Sequence, residues 1–226
     1  MSYFISLFIS LTIKAFVKLF YKVEVIYIND DEDTFWSNDI NVFAFLNHTS
    51  LFEPLLFASI PNQFFKENLK RVVVPAADIT MKRPIVGKIY KSFFPQAIPI
   101  SRKRDETWNY FKKKIRENSL VVIAPEGRMM REDGLDKHGK PMTIKSGIAD
   151  ILKETEQGQL VLATSGGLHH VQKPGEPFFR LFKTIKISYE KISISDYKKL
   201  IDFQQRDFQR QVVNDLTMRM KKNLPS

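Results

Sequence analysis

Some segments of this chain carry no polar face at all. "LVVIA" (120–124) is apolar at every position, and "NVFAFL" (41–46) and "QLVLAT" (159–164) nearly so. A strand with one solvated face alternates, so an unbroken run marks a strand covered on both faces. Similar β-branched-rich runs fall at 23–28, 71–75, 97–101 and 184–189. Between most of them lie longer amphipathic or charged segments, at 53–59, 84–93, 105–118 and 141–157, and a last helix candidate spans 202–222. This alternation predicts an α/β fold with a mostly parallel central sheet flanked by helices. Residues 129–141, "MMREDGLDKHGKP", form the most loop-like stretch and are expected to be a mobile flap beside a site.

The N-terminus has a different texture. "MSYFISLFISLTIKAFVKLFY" is apolar for 13 residues before Lys14. A spanning helix needs about 20 such residues, and no small-residue cleavage site marks a signal peptide. On a helix, Ser2, Ser6, Ser10, Lys14 and Lys18 form one narrow polar ridge, with Phe4, Ile5, Phe8, Ile9, Leu11, Phe16, Leu19 and Phe20 around the rest. The expectation is an amphipathic membrane-interface helix over residues 1–21, its lysines reaching the headgroups. Packing on the protein's own core and a tilted span are the alternatives. Residues 22–226 are expected to form a single domain, a length sufficient for one substantial core.

Lys and Arg number 35 against 25 Asp and Glu, a net charge of +10 that attracts nucleic acid, acidic proteins or anionic lipid headgroups. "SRKR" and "FKKKIR" would suit phosphate, but no nucleic-acid recognition motif accompanies them. With the lipid-like N-terminus, anionic membrane lipids are the expected partner, and the expected location is a peripheral or monotopic one facing the cytoplasm. The chain has no Cys, which excludes disulfides and thiol catalysis.

In sheets of this kind ligands bind beyond the carboxyl ends of the strands. Four clusters follow strands here: Asn47-His48, the basic run from Ser101 to Arg104, Pro125-Glu126-Gly127-Arg128, and Ser165-Gly166-Gly167. Parallel strands would gather them on one edge. In "NHTSLFEP", His48 and Glu53 would not meet on a regular helix. Glu53, however, precedes Pro54, which disfavours helix at Glu53 and suits the first turn of the next one. Residues 48–53 therefore read as a turn that can bring the carboxylate to the imidazole, a base with its orienter. Three other readings compete. His48 is a structural residue; Ser50-x-x-Glu53 is a capping box, discounted because Pro54 would follow too late; or Ser50 is a nucleophile, without the glycine elbow such a serine needs. His169 and His170 are adjacent, lack a third ligand cluster, and read as a surface turn rather than a metal site.

"NHTSLFEP" resembles the first motif of the glycerolipid acyltransferase family, the 1-acylglycerol-3-phosphate and lysophospholipid acyltransferases, with Glu53 where the family has Asp and Pro54 one place early. "AIPISR" is similar to the second motif, ending in Arg102, and "IAPEGR" to the third, with Pro125, Glu126 and Gly127 in place, Ala124 for Phe, no Thr, and Arg128 one place early. "IKSG" resembles the following Lys-x-Gly, and "LVLATSGG" sits where a weak fourth motif would be. The resemblance covers about residues 40–190.

It implies that His48 is the general base on an acceptor hydroxyl, oriented by Glu53, and that Arg102 and Arg128 bind the acceptor's phosphate or other anionic headgroup. Glu126 and Gly127 would shape that pocket, with Lys145 nearby. The acceptor would be a lysophosphatidate-like or other lysolipid, including an amino-acid-derived one. The acyl group would come from an acyl thioester, on coenzyme A or acyl carrier protein, as co-substrate. No bound cofactor, metal or nucleic acid is implied. A non-catalytic membrane- or lipid-binding module on the same fold is the competing function.

Overall fold

The computed structural model of the chain describes residues 3–50, 52–101, 105–116 and 119–225. Seven strands form one sheet: β1 (Lys22–Ile28), β2 (Ile40–Leu46), β3 (Val72–Ala77), β4 (Ala97–Ile100), β5 (Leu120–Ile123), β6 (Gln159–Ser165) and β7 (Thr184–Ser193). Their spatial order is β1-β7-β6-β2-β5-β3-β4. All pairings are parallel except β6 with β7, so β1 and β7 run against the other five. The mostly parallel α/β architecture is therefore present, and β2, β4, β5 and β6 all end on one edge.

The helices are α1 (Tyr3–Phe20), α2 (Glu32–Phe35), α3 (Asn62–Asn68), α4 (Asp78–Met81), α5 (Pro84–Phe93), α6 (Glu106–Arg116), α7 (Gly147–Glu154), α8 (Ile194–Leu200) and α9 (Phe208–Lys222). Residues 53–59, read as an amphipathic segment, form a 3-10 helix, Glu53–Ser59. Two expected helices shrink. Residues 141–157 contribute only α7, and residues 202–222 only α9, because α7 ends at Thr155 in extended backbone and residues 201–207 form turns.

Both faces of the sheet are covered, which is why β2 is buried at every position. One face packs under α6, α7 and α9, through Phe111 and Ile115, through Ile148, Ile151 and Leu152, and through Val212 and Leu216. These side chains recur at three- and four-residue steps, one stripe per helix. The other face packs against Val17 of α1, Leu55 and Leu56 of the 3-10 helix, and Phe64 of α3. Each fully buried Leu or Ile contributes about 1.5–3 kcal/mol of apolar burial.

The first helix corrects its expected orientation. Ser6, Ser10 and Val17 are buried. Ser6 Oγ donates to the Ser92 carbonyl at 2.6 Å. Lys14 Nζ donates to the Ile60 carbonyl and lies 5.2 Å from the centre of the Phe65 ring. Burial lowers the Lys14 pKa to about 8. The upper part of the serine–lysine ridge thus faces the protein, and only Lys18 of its lysines points outward. Phe4, Phe8 and Leu19 are 75 %, 72 % and 74 % exposed. The inward turn has a plain cause. The ridge meets carbonyls at Ile60 and Ser92, and unpaired carbonyls at a protein surface take hydroxyl and ammonium donors. By length and composition α1 is apolar enough to cross a membrane.

Candidate active site

β2 ends at Leu46, and Asn47 turns the chain with φ +61°. Asparagine tolerates this left-handed conformation better than most residues. The turn aims two successive N–H groups, from Asn47 and His48, at the two carboxylate oxygens of Glu126, at 3.0 and 2.8 Å. Asn47 Nδ2 donates to the Ser165 carbonyl at 2.7 Å. The exits of β5, β2 and β6 are thereby tied together. Glu126 is buried. Burial pushes its pKa up, against the pull of the two N–H donors and of His48.

Beyond Asn47 the backbone stays clamped. His48 C=O accepts from Met130 N–H at 2.7 Å, and Thr49 Oγ1 accepts from Leu168 N–H at 2.8 Å. Ser50 Oγ donates to Gln172 Oε1 at 2.8 Å and accepts from Phe52 N–H at 3.1 Å. Ser50 is fully buried and its hydroxyl is bonded away from His48. Thr49 and Gln172 are supports that the sequence did not single out, and Ser50, read there as a cap or a nucleophile, is a third; their partners lie more than a hundred residues away.

The structure brings His48 and Glu53 together: Nδ1 hydrogen-bonds Glu53 Oε2. The other carboxylate oxygen accepts from Thr49 N–H at 2.6 Å and Ser50 N–H at 3.3 Å. Glu53 therefore also performs half of the capping that was discounted. Glu53 opens the 3-10 helix and Pro54 follows at its next position, so the proline ring meets no preceding turn. Burial alone would lower the His48 pKa; the hydrogen bond and charge of Glu53, helped by the charge of Glu126, outweigh it and raise the pKa above 6.5. The His48 side chain is 22 % exposed, whereas that of Glu53 is 10 % exposed. Among the described residues, no hydrogen bond occupies His48 Nε2.

The remaining expected residues fall on the β4 and β5 side. Gly127 has φ +68°, which favours glycine although a side chain there would meet nothing. Arg128 donates Nη1–H to the buried Asp136, so it is a held cation rather than a free one. Asp136 also accepts from His138 N–H and Lys140 N–H, at 2.7 and 3.0 Å. The Lys140 N–H leads the groups that hold its carboxyl well below the usual range, the Arg128 guanidinium among them. With a Leu135–Pro141 bridge, this makes 129–141 a tied loop instead of the expected free flap. Lys145 is exposed and donates Nζ–H to Thr143 Oγ1 at 2.6 Å, while its N–H holds the Pro125 carbonyl at 2.9 Å. Arg102 lies outside the described residues. His169 and His170 each donate a ring N–H to a carbonyl, of Met130 and Thr184, both at 2.8 Å. Among the described residues no three His, Asp or Glu side chains gather to hold a metal.

Comparison with solved structures finds the 1-acyl-sn-glycerophosphate (LPA) acyltransferase PlsC from Thermotoga maritima, with a TM-score of 0.60 at 16 % identity. The alignment covers 96 % of this chain and 79 % of that one. No curated protein sequence matches the chain. At that identity the likeness speaks for the fold. The sequence model of the Acyltransferase family matches residues 18–165, more than half of the chain, including His48, Glu53 and Glu126, and the chain belongs to that family.

Proposed function

We propose that this acyltransferase moves a fatty acyl group from an acyl thioester to the hydroxyl of a lysophosphatidate-like or other lysolipid acceptor, with His48 as general base and Glu53 as its orienter. The observation that carries this reading is the His48 ring itself. Its Nδ1 is held by a nearly buried carboxylate, its side chain is 22 % exposed, and among the described residues its Nε2 makes no hydrogen bond. Nε2 takes the proton from the acceptor hydroxyl as the oxygen attacks the thioester carbonyl. The tetrahedral intermediate then breaks its C–S bond, and the imidazolium returns the proton to the departing thiolate. Glu53 stabilises the imidazolium between the two steps.

Arg128, held in place by Asp136, and Lys145 are cations in the segment after β5, where an anionic headgroup would sit. A fixed guanidinium suits a phosphate, because little freedom remains to be lost on binding. The exposed aromatic face of α1 supports attachment to a membrane, where lysolipids reside. Purified protein incubated with a panel of lysolipids and with acyl-coenzyme A or acylated carrier protein, read by mass spectrometry, tests the proposal. A new diacyl product that is absent with His48→Ala is the expected result. Product formation that is equal in the two proteins would refute the mechanism.

A further inference from the structure

A cavity of about 530 Å³ opens beyond the end of β6. Its lining includes Gly167, His169, His170, Lys173 and Arg180, with Glu132. None of these residues has a role in the reading above. In the sheet order β2 lies between β6 and β5, and Glu132 brings the loop after β5 to the cavity as well. The cavity wall is joined to the catalytic turn. His169 donates to the carbonyl of Met130, whose N–H holds the His48 carbonyl. The missing side chain of Gly167 would lie 3.8 Å from both Asn47 Nδ2 and Thr49 Cγ2.

The cations at this cavity are positioned. Lys173 Nζ pairs with Glu132 at 3.0 Å, and Arg180 Nη2 pairs with Glu176 at 2.8 Å. Each pair uses one side-chain donor of its cation, and Glu176 also accepts from Lys173 N–H at 3.1 Å. An ammonium has three N–H groups and a guanidinium five, so both retain donors for an incoming anion. Two cations at a hollow of this size suit an anion with several acceptor oxygens, as a phosphate ester has. A reaction with two substrates needs recognition on both sides of its base, and the β6 side is otherwise unassigned.

We propose that this cavity is a phosphate-binding subsite for one of the two substrates of the acyl transfer proposed above. The phosphate is either that of the donor's pantetheine arm or that of the acceptor's headgroup, and Lys173 and Arg180 are the residues that grip it. The inference rests on that reading of the reaction, but binding tests it without turnover. The His48→Ala chain, with and without Lys173→Ala and Arg180→Ala, is titrated by calorimetry with coenzyme A and with 1-oleoyl lysophosphatidate. Pantetheine and 1-oleoylglycerol serve as the phosphate-free counterparts. Lys183→Ala, an exposed lysine outside the cavity, controls for net charge.

The expected result is a loss of about tenfold or more in affinity for one phosphate-bearing probe in the double variant, as for a lost pair of charge-assisted bonds. Its phosphate-free counterpart should bind both proteins alike, and the probe that weakens identifies the source. Four results overturn the proposal: neither probe binds the parent chain, neither weakens in the double variant, the phosphate-free counterpart weakens equally, or Lys183→Ala gives the same loss. If binding behaves as expected but no acyl donor and acceptor pair turns over, the subsite stands and the reaction proposed above fails.

Discussion

The helix α1 and the turn from Asn47 to Glu53 both bury polar side chains, and they do so for different ends. In α1 the donors Ser6 and Lys14 reach outside their own element, to Ser92 and Ile60 carbonyls. That leaves the aromatic residues to solvent or lipid. In the turn the polar groups satisfy one another and the neighbouring strand exits, and the part left open is one face of an imidazole. A narrow polar ridge in a sequence therefore shows that one helix face differs from the rest, without showing which side is inward. A dense polar cluster at a strand exit points more directly to a site where its bonds are local, as those of Glu53 to His48, Thr49 and Ser50 are.

Breaking the turn at its reactive atom should have the largest effect. His48→Ala is expected to lower kcat by about 10²–10⁴-fold, measured on the substrates that turn over. Its melting temperature should stay near that of the parent, since Glu53 retains the Thr49 and Ser50 N–H groups. Glu53→Gln keeps an oxygen for those donors and loses the charge. Its rate should fall by about tenfold or more, the factor that one unit of pKa is worth, while Glu53→Asp remains well above it. The pH profile separates charge from shape. His48 must be neutral to act, and Glu53 raises its pKa, so the parent's rate should climb with pH through an inflection above 6.5. In Glu53→Gln the inflection should move down; an unmoved inflection would mean that the carboxylate does not tune the base.

Glu126→Gln tests whether the tie between strand exits is structural. An amide can accept one of the Asn47 and His48 N–H groups and presents its own N–H₂ to the other. A buried donor left unpaired costs about 1–3 kcal/mol, so chemical denaturation should show a stability loss of that order. An unchanged denaturation midpoint would show that the strand exits hold without this carboxylate.

For α1, the inward ridge changes which experiment is informative. Deleting residues 1–21 would remove Val17 and Tyr21 from the core and confuse anchoring with unfolding. Replacing Phe4, Phe8 and Leu19 by Ser leaves the buried face alone. This variant should bind anionic vesicles less in flotation while melting at the parent's temperature; equal flotation would place the lipid contact elsewhere.

The smallest effect is expected at Lys14. Its folded pKa of about 8 lies below the ordinary 10.5, so the unfolded chain binds more protons between those values. Stability from this group should therefore rise as pH goes from about 8 to about 10.5. The rise should vanish in Lys14→Met, as read from melting curves across that range.

What was legible in the sequence follows from how local its causes are. The seven strands stand where the apolar runs predicted them, because double-sided burial leaves an unbroken pattern. The reversed direction of β7 left no such trace, since direction depends on the path of residues 166–183 and not on the strand's composition. Helices α2, α3, α4 and α8 are four to seven residues long and too short to display a period. Glu53 could be placed beside His48 because Pro54 restricts the backbone before it. The partner of Arg128 could not, because Glu132, Asp133 and Asp136 lie in the same loop and only the folded loop selects Asp136.

The pairing of β1 bears on the order of events during synthesis. β1 sits at the sheet edge and its one neighbouring strand is β7, with Lys22 opposite Thr184. That partner emerges about 160 residues later. At 5–20 residues per second the interval is roughly 8–30 s. Until β7 arrives, β1 lacks its sheet partner, although α1, immediately before it, has already been made. A nascent chain in that window carries an open sheet edge, so this edge of the sheet can close only after most of the chain has been made.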